Sequence, residues 1–277
     1  MVCCDCDTAI YWLGAAVFEW EQLKGDHSTF RSVHTDGDWL WALGQDGRLY
    51  SYHYRRRSWL STSSAPQLRD VAISKDGTLW GINYDGGLQQ GYTQLMRGAT
   101  GASASPMLKN LSTTNQTDCH AVLCTDEGLN LKLYVPGEKK WCEISGQKVG
   151  PISVSADGKQ IWGIDSRSGC IFYCRLTESI DYMAGSYESY ELKWDSVGGS
   201  LRQVCVSGDG CHVWGLNHDS QIYYRHGFEG QWVRIAGALQ DLCVSMRGET
   251  IWGIDLWGNP WICFLDMANV GWHSTQW

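Results

Sequence analysis

The chain has 277 residues, of which 43% are hydrophobic, and its formal net charge is −8 at pH 7. Because nucleic-acid binding needs a basic surface, this acidic balance argues against DNA or RNA as the partner. No run of about 18 apolar residues occurs, so we expect no membrane span. The 32 glycines and 16 tryptophans, with only 5 prolines, favour a single all-β domain over residues 1–277.

The cysteines bear on the cellular compartment. The N-terminus has no basic segment followed by an apolar core, so a secretory signal is not predicted. Cys170 and Cys174 lie four residues apart in one predicted strand, about 13 Å at 3.3 Å per residue, which is too far for a disulfide. We therefore expect reduced thiols and a cytoplasmic protein, with release without a signal peptide or an extracellular location as alternatives. The role of Cys3, Cys4 and Cys6 stays open.

A four-residue sequence recurs along the chain. It starts with tryptophan, continues with Gly-Ile or Gly-Leu and ends with Asn or Asp, and its copies begin at Trp80, Trp162, Trp214 and Trp252. Trp41 begins a looser first copy, and the steps between the five tryptophans are 39, 82, 52 and 38 residues. A period near 40 residues is typical of repeat proteins, in which each unit packs on its neighbours.

Each unit is predicted to contain four short strands. A second set of tryptophans stands 20 or 21 residues before the first, at Trp20, Trp59, Trp141, Trp194 and Trp232. An apolar alternation ending in a turn lies between the two tryptophans, and an Asn/Asp-rich turn with a further apolar strand follows. Six units of four strands over residues 20–271 predict a six-bladed β-propeller.

The 82-residue step contains a sixth, degenerate copy. Residues 108–111 align with residues 68–71, and His120 then falls at the position of the tryptophan. We therefore expect the third blade to have lost its site. Two segments are predicted to be loop insertions, residues 98–106 and residues 178–191.

Both ends of the chain carry strand-like fragments, within residues 1–19 and residues 272–277. A propeller that is not closed leaves an unpaired strand edge. One end is therefore predicted to supply the strand that joins the last blade to the first, and the sequence leaves open which end does so.

The units at 194–224 and 232–255 resemble tectonin repeats, and the resemblance extends from Trp20 to the C-terminus. This family includes slime-mould and fungal lectins, a horseshoe-crab lectin and fish-egg lectins. The resemblance implies a multivalent carbohydrate-binding protein, with innate defence as one setting. The glycans implied are of the N-acetylglucosamine type, O-methylated sugars or lipopolysaccharide sugars. We expect a monomer, because one ring already repeats the binding surface.

The repeated tryptophan and the polar residue after it form a candidate carbohydrate site. Sugars present apolar faces that pack on aromatic rings and hydroxyls that need hydrogen-bond partners. The candidate residues are Asn83, Asp165, Asn217, Asp255, Trp80, Trp162, Trp214 and Trp252. Each candidate residue also has a possible structural role: the tryptophans could pack between blades, and the polar residues could form the turn. Blade one lacks the polar residue.

Two other functions stay open. The sequence from Ser74 to Trp80 is similar to the Asp-box turn of sialidases, whose propeller cleaves sugars. A sialidase-like glycosidase needs an arginine cluster, and the arginines are interpreted as scattered, with none repeated in the innermost strands. No residue pattern indicates a metal, a nucleotide or a flavin, so we expect neither catalysis nor a cofactor. The remaining alternative is an intracellular scaffold that docks other proteins.

Overall fold

The computed structural model describes residues 20–23, 29–35, 40–53, 56–61, 67–74, 78–92, 95–101, 107–113, 121–180 and 189–265. These residues contain 25 β-strands in six sheets. Each sheet is one blade of a six-bladed β-propeller, as the repeat predicts. None of the described residues forms a helix long and apolar enough to cross a membrane.

The strands are numbered in chain order from β1 (Trp20–Gln22). Blade one contains β2 (Phe30–Thr35), β3 (Leu40–Gly44), β4 (Leu49–His53) and β5 (Ser58–Ser61). Blade two contains β6 (Leu68–Ile73), β7 (Thr78–Asn83), β8 (Leu88–Tyr92) and β9 (Leu95–Gly101). Blade three contains β10 (Leu108–Thr113), β11 (Val122–Asp126), β12 (Leu131–Val135) and β13 (Lys140–Ser145).

The second half of the ring follows the same order. Blade four contains β14 (Ile152–Val154), β15 (Gln160–Ile164), β16 (Ile171–Arg175) and, after β17 (Ser189–Glu191), β18 (Asp195–Val197). Blade five contains β19 (Gln203–Val206), β20 (His212–Leu216), β21 (Gln221–His226) and β22 (Val233–Ala238). Blade six contains β23 (Asp241–Val244), β24 (Thr250–Ile254) and β25 (Pro260–Phe264).

The ring is closed by a strand from the start of the described chain. β1 pairs antiparallel with β25, so Trp20 lies opposite Cys263 and becomes part of the outermost strand of blade six. The sequence repeat and the blade are therefore offset by one strand: the first strand of each repeat is the outermost strand of the preceding blade. The fragments predicted in 1–19 and 272–277 lie outside the described residues.

The two segments predicted to be loop insertions, residues 98–106 and 178–191, both contain strand residues. Residues 98–101 belong to β9, and residues 102–106 lie outside the described residues. The segment 178–191 ends in β17, which pairs in parallel with β13 and gives blade three a fifth strand.

The innermost strands of successive blades, β2, β6, β10, β14, β19 and β23, contact one another around the ring. Six hydrophobic clusters fill the spaces between neighbouring blades, and each contains residues of two adjacent blades. The cluster between blades five and six, for example, joins Trp214 and Leu216 to Leu242 and Ile251. The second strand of a blade packs on both sides, which is why a strand such as His212–Leu216 is buried along its whole length.

The third blade corrects the sequence alignment. Trp80 pairs with Ala72, and Trp162 pairs with Ser153 on the neighbouring innermost strand. The equivalent residue opposite Ser112 is Leu123, which is fully buried. The alignment of His120 with the tryptophans was therefore wrong, and His120 itself lies outside the described residues.

Candidate functional site

The hairpins between the second and third strands lie on one face of the ring, because the blades repeat by rotation. We call this the hairpin face; it comprises residues 44–48, 83–87, 126–130, 165–170, 217–221 and 255–259. One residue of each hairpin has a left-handed backbone, with φ between 62° and 87°. These six residues are Gly47, Gly86, Leu129, Gly169, Ser220 and Gly258. The carbonyl of each accepts a hydrogen bond, at 2.9–3.1 Å, from the amide of a residue that begins the innermost strand of the next blade or lies two or three residues before it.

The four predicted tryptophans lie in the core and not on this face. Trp80, Trp162, Trp214 and Trp252 are 2%, 0%, 0% and 5% exposed. The ring of Trp162 stacks on that of Phe228, with centroids 5.7 Å apart and an interplanar angle of 8°. Trp162 belongs to blade four and Phe228 to blade five, so this tryptophan packs between blades, which is the structural alternative stated in the sequence analysis. Contact of these rings with a sugar remains a prediction, and their burial gives it no support.

The polar residues of the repeat are bonded to their own hairpins. The Oδ1 of Asn83 accepts from the Gly87 amide at 2.7 Å. The Oδ1 of Asn217 accepts from the Asp219 and Gln221 amides at 3.0 and 2.8 Å. Such side-chain-to-backbone bonds fix a tight turn. The polar position is thus a turn former in the structure, and a direct role in ligand binding stays a prediction.

The other two polar residues are carboxylates held in the ionised form. Asp165 accepts from the Arg167 amide at 3.0 Å and from the Ser168 hydroxyl at 2.8 Å, and these bonds lower its pKa. Asp255 is buried, which opposes ionisation, but donors that include the Asn259 amide groups and the Trp261 indole outweigh the desolvation and lower its pKa.

Sequence reasoning missed a hairpin carboxylate in each of the two irregular blades: Asp126 at the repeat position of blade three, and in blade one Asp46, two residues beyond the repeat position, which is Gly44. Asp126 stands three residues after Leu123 and accepts from the Gly128 and Asn130 amides at 2.8 and 2.9 Å. In blade one, Asp46 accepts from the Arg48 amide at 3.0 Å. The correct register of blade three would have found Asp126, since the Trp-to-Asp spacing of three residues is kept.

Exposed aromatic side chains project from two hairpins of this face. Tyr84 in blade two is 52% exposed and Trp257 in blade six is 77% exposed, beside Leu256 at 55%. The guanidinium carbon of Arg31 lies 5.7 Å from the centroid of the Tyr84 ring, and the ring lies against Gly47 of the preceding hairpin. Neither Tyr84 nor Trp257 belongs to the repeated tryptophan pattern, so the periodicity did not reveal them.

The innermost strands surround a central channel with a cavity of about 590 Å³. Four cationic residues occupy equivalent positions near the start of these strands, beside the hairpin face. We call them the cationic collar: Arg31, Arg69, Lys109 and Arg202. The interpretation that no arginine repeats in the innermost strands was therefore wrong. The alignment of residues 68–71 with 108–111 already contained the signal, since it sets a lysine against an arginine.

Two members of the collar join neighbouring blades. A guanidinium nitrogen of Arg31 donates to the Leu68 carbonyl of blade two. Arg202 donates to the carbonyls of Leu239 and Gln240 of blade six, at 3.1 and 2.7 Å. Burial lowers the pKa of Arg202, although an arginine stays charged at any physiological pH.

Two carboxylates of the channel wall also link blades. Asp70 accepts from the Leu111 amide of blade three at 2.9 Å. Asp241 accepts from the Val33 amide of blade one and from the side-chain amide of Gln203, both at 2.7 Å. Desolvation outweighs these bonds and raises the pKa of Asp70 to about 6 and that of Asp241 to about 7.

Within the described residues, no group of three or more His, Cys, Asp or Glu side chains is placed to hold a metal ion. No disulfide joins any two of the eight described cysteines, which are Cys124, Cys142, Cys170, Cys174, Cys205, Cys211, Cys243 and Cys263. Burial raises the pKa of Cys174 and that of Cys205 to about 11. These thiols are therefore protonated at neutral pH and are not poised as nucleophiles.

Comparison with known proteins supports the fold and the repeat. Residues 177–277 match the Tectonin domain family, which confirms the resemblance to tectonin-repeat proteins seen in the sequence. No curated protein matches the chain by sequence.

Two solved structures are similar to the whole ring. A gluconolactonase from Xanthomonas campestris has a TM-score of 0.68 and 12% identity, covering 94% of this chain and 96% of its own. The β-propeller domain of Cps50 (Swd1) from Myceliophteria thermophila has a TM-score of 0.62 and 10% identity, covering 87% and 84%. At such low identity, these similarities show the fold alone.

Proposed function

We propose that this chain is a multivalent, non-enzymatic carbohydrate-binding protein that recognises surface glycans through the hairpin face. One observation carries the proposal: Trp257 and Tyr84 present exposed rings on rigid hairpins of that face. An exposed indole costs free energy in water unless it meets a partner, and the apolar face of a pyranose is such a partner.

The hairpins supply the second requirement of a sugar site, which is fixed polar groups beside the ring. Next to Tyr84 lie the Arg31 guanidinium and the amide-bonded Asn83. Next to Trp257 lies Asp255, whose oxygens are already oriented by hydrogen bonds. Because these groups are held before any ligand arrives, binding loses little conformational entropy.

A single exposed ring gives a shallow and weak site, so useful affinity depends on several sites acting together. The ring presents its hairpins on one face of one chain, which allows a dense glycan surface to engage more than one of them. We propose a monomer with at least two such sites and a role of the innate-defence type. Cys124, Cys170, Cys174, Cys205 and Cys243 are free thiols, which favours a reducing compartment, and we propose a cytoplasmic location.

Binding to a glycan array tests this proposal. We expect dense glycans to bind much more tightly than free monosaccharides, and Trp257→Ala to weaken binding about tenfold or more through the loss of its stacking surface. Tyr84→Ala should act in the same direction. The matched control is Phe264→Ala, which removes another ring, 61% exposed, at the opposite end of β25.

Two results would contradict the proposal. If no saccharide bound across a broad array while partner proteins were captured through the same face, the scaffold function would replace it. If Phe264→Ala weakened glycan binding as much as Trp257→Ala, the hairpin face would not be the binding surface.

A further inference from the structure

The cationic collar stands out against the charge of the whole protein. The net charge is −8, yet all four ionisable side chains at this position of the innermost strands are basic. Blades four and six carry Gly150 and Gln240 there instead. Basic side chains that meet around one channel mouth concentrate positive potential there.

In three of the blades, the collar residue lies at a β-bulge, where the regular pairing of the innermost strand with the second strand is interrupted. In blades one, two and three the strand register shifts at this position, so that Arg31, Arg69 and Lys109 are extra residues without a partner opposite them. Such β-bulges redirect a side chain and recur beside functional sites. The three bulges therefore direct adjacent cations to the same end of the channel.

Two of the collar residues are not used to join blades. Arg31 and Arg202 donate to carbonyls of the next blade. Among the described residues, none accepts a hydrogen bond from Arg69, and Lys109 makes only a long contact of 3.8 Å with Glu127. A loose, exposed pair of that kind contributes little to stability. Arg69 and Lys109, on neighbouring blades, thus keep their donors for a ligand.

The wall below the collar is polar and can bind hydroxyl groups. Asn110 donates its Nδ2 to Thr125 at 3.0 Å, which leaves its Oδ1 as an acceptor. Ser32 and Ser112 also line the cavity. The whole channel cavity of about 590 Å³ is large enough to admit a ligand of monosaccharide size at its mouth.

We propose that the hairpin-face mouth of the channel binds a small hydroxylated carboxylate, of the size and kind of a sugar acid. Arg69 and Lys109 hold the carboxylate, and Asn110 binds hydroxyls. The guanidinium fork matches the two carboxylate oxygens, and the lysine adds a point charge. This site uses Arg69, Lys109 and Asn110, none of which belongs to the glycan sites proposed at Tyr84 and Trp257, so it does not depend on that function.

Calorimetry with D-glucuronate as the probe tests the site, and D-glucose serves as the neutral match. We expect one saturable site for glucuronate and binding of glucose at least about tenfold weaker. Arg69→Gln and Lys109→Gln should each lower the affinity about tenfold or more, since each removes a charge-assisted hydrogen bond. Unchanged melting temperatures of the free proteins would show that both variants remain folded.

Three controls make the outcome decisive. Arg234→Gln removes a charge from the exposed outer strand β22 and should leave the affinity unchanged. Trp257→Ala should also leave it unchanged, which separates this site from the glycan-binding function. Inorganic phosphate should bind more weakly than glucuronate. Absence of glucuronate binding, equal binding of glucose or phosphate, or an equal loss in Arg234→Gln would each overturn the proposal.

Discussion

At the scale of single residues, three titratable side chains of the channel wall have pKa values that differ from their ordinary values. Asp70, Asp241 and His34 are half-buried there, and desolvation is the largest cause of each pKa shift. The two carboxyl groups titrate near neutrality, whereas the pKa of His34 falls to about 3. In the folded protein the neutral form of each group is therefore favoured relative to the unfolded chain.

We predict that Asp241→Asn becomes more stable relative to the natural protein as pH rises from about 4 to about 7. The pKa of Asp241 is about 7 when folded and close to 3.8 when unfolded, so ionisation in this window favours unfolding of the natural protein. Asparagine has no such charge. Because the side chain is only half-buried, we expect a relative gain of about 1–2 kcal/mol, measured by denaturant unfolding at several pH values.

An asparagine can keep a hydrogen bond to each neighbour of Asp241. Its Oδ1 still accepts from the Val33 amide, and its Nδ2 can donate to the Oε1 of Gln203 once the Gln203 amide turns over; among the described residues this buried oxygen has no partner. Asp165→Asn is the control: hydrogen bonds lower the pKa of Asp165, so this variant should not gain stability relative to the natural protein over the same pH range. If the stability difference between Asp241→Asn and the natural protein stayed constant from about pH 4 to about pH 7, the pKa of Asp241 would not be raised in the folded protein.

At the scale of elements, all six blades share one hairpin arrangement between the second and third strands. A residue with positive φ presents its carbonyl to the next blade, and four of the six positions are glycine. Only glycine adopts this backbone without steric cost. In blades three and five, Leu129 and Ser220 do so at φ of 63° and 62°. The hairpin therefore joins blades as well as strands.

We predict opposite effects of two substitutions at this position. Gly258→Ala should destabilise the protein by about 1–3 kcal/mol, because φ is +87° and a Cβ atom would lie 3.1 Å from the Phe30 carbonyl oxygen. Ser220→Gly should gain up to about 1 kcal/mol by relieving the left-handed strain. Chemical denaturation measures both, and equal midpoints for Gly258→Ala and the natural protein would show that the turn conformation is not needed.

At the scale of the whole molecule, closure of the ring depends on three residues. β1 pairs with β25, and the Leu23 amide donates to the Pro260 carbonyl at 2.8 Å. Hydrogen-bonded pairs alternate along an antiparallel ladder, so the Glu21 amide faces Ile262 and the Gln22 amide faces outward. This short strand connects the two ends of the described chain and protects the edge of blade six.

We predict that Glu21→Pro lowers stability by about 3 kcal/mol, while Gln22→Pro has a much smaller effect. Proline at position 21 removes a ladder hydrogen bond and crowds β25, whereas at position 22 the lost amide faces solvent. Thermal unfolding of the two variants measures the difference. Equal melting temperatures would mean that β1 does not hold the ring closed.

Much of the architecture was predictable from particular residues. The tryptophan period and the 20- or 21-residue offset indicated six units of four strands, because alternation and turn residues are local properties. The register of blade three was not predictable from the tryptophan spacing, since Leu123 carries no aromatic signal and only its pairing with Ser112 identifies it. The buried state of Trp80 and the exposed state of Trp257 also depend on neighbours that are distant in sequence.

The sequence by itself determined the repeat, the strands and the turn-forming role available to Asn83 and its equivalents, because each of these depends on residues within one unit. Only the tertiary structure decided that Trp20 closes the last blade, that the repeated tryptophans lie between blades and that Arg69 and Lys109 meet at one channel mouth. These features arise because the six units are arranged by rotation about a common axis. Equivalent positions, about 40 residues apart in the sequence, therefore lie side by side around the channel.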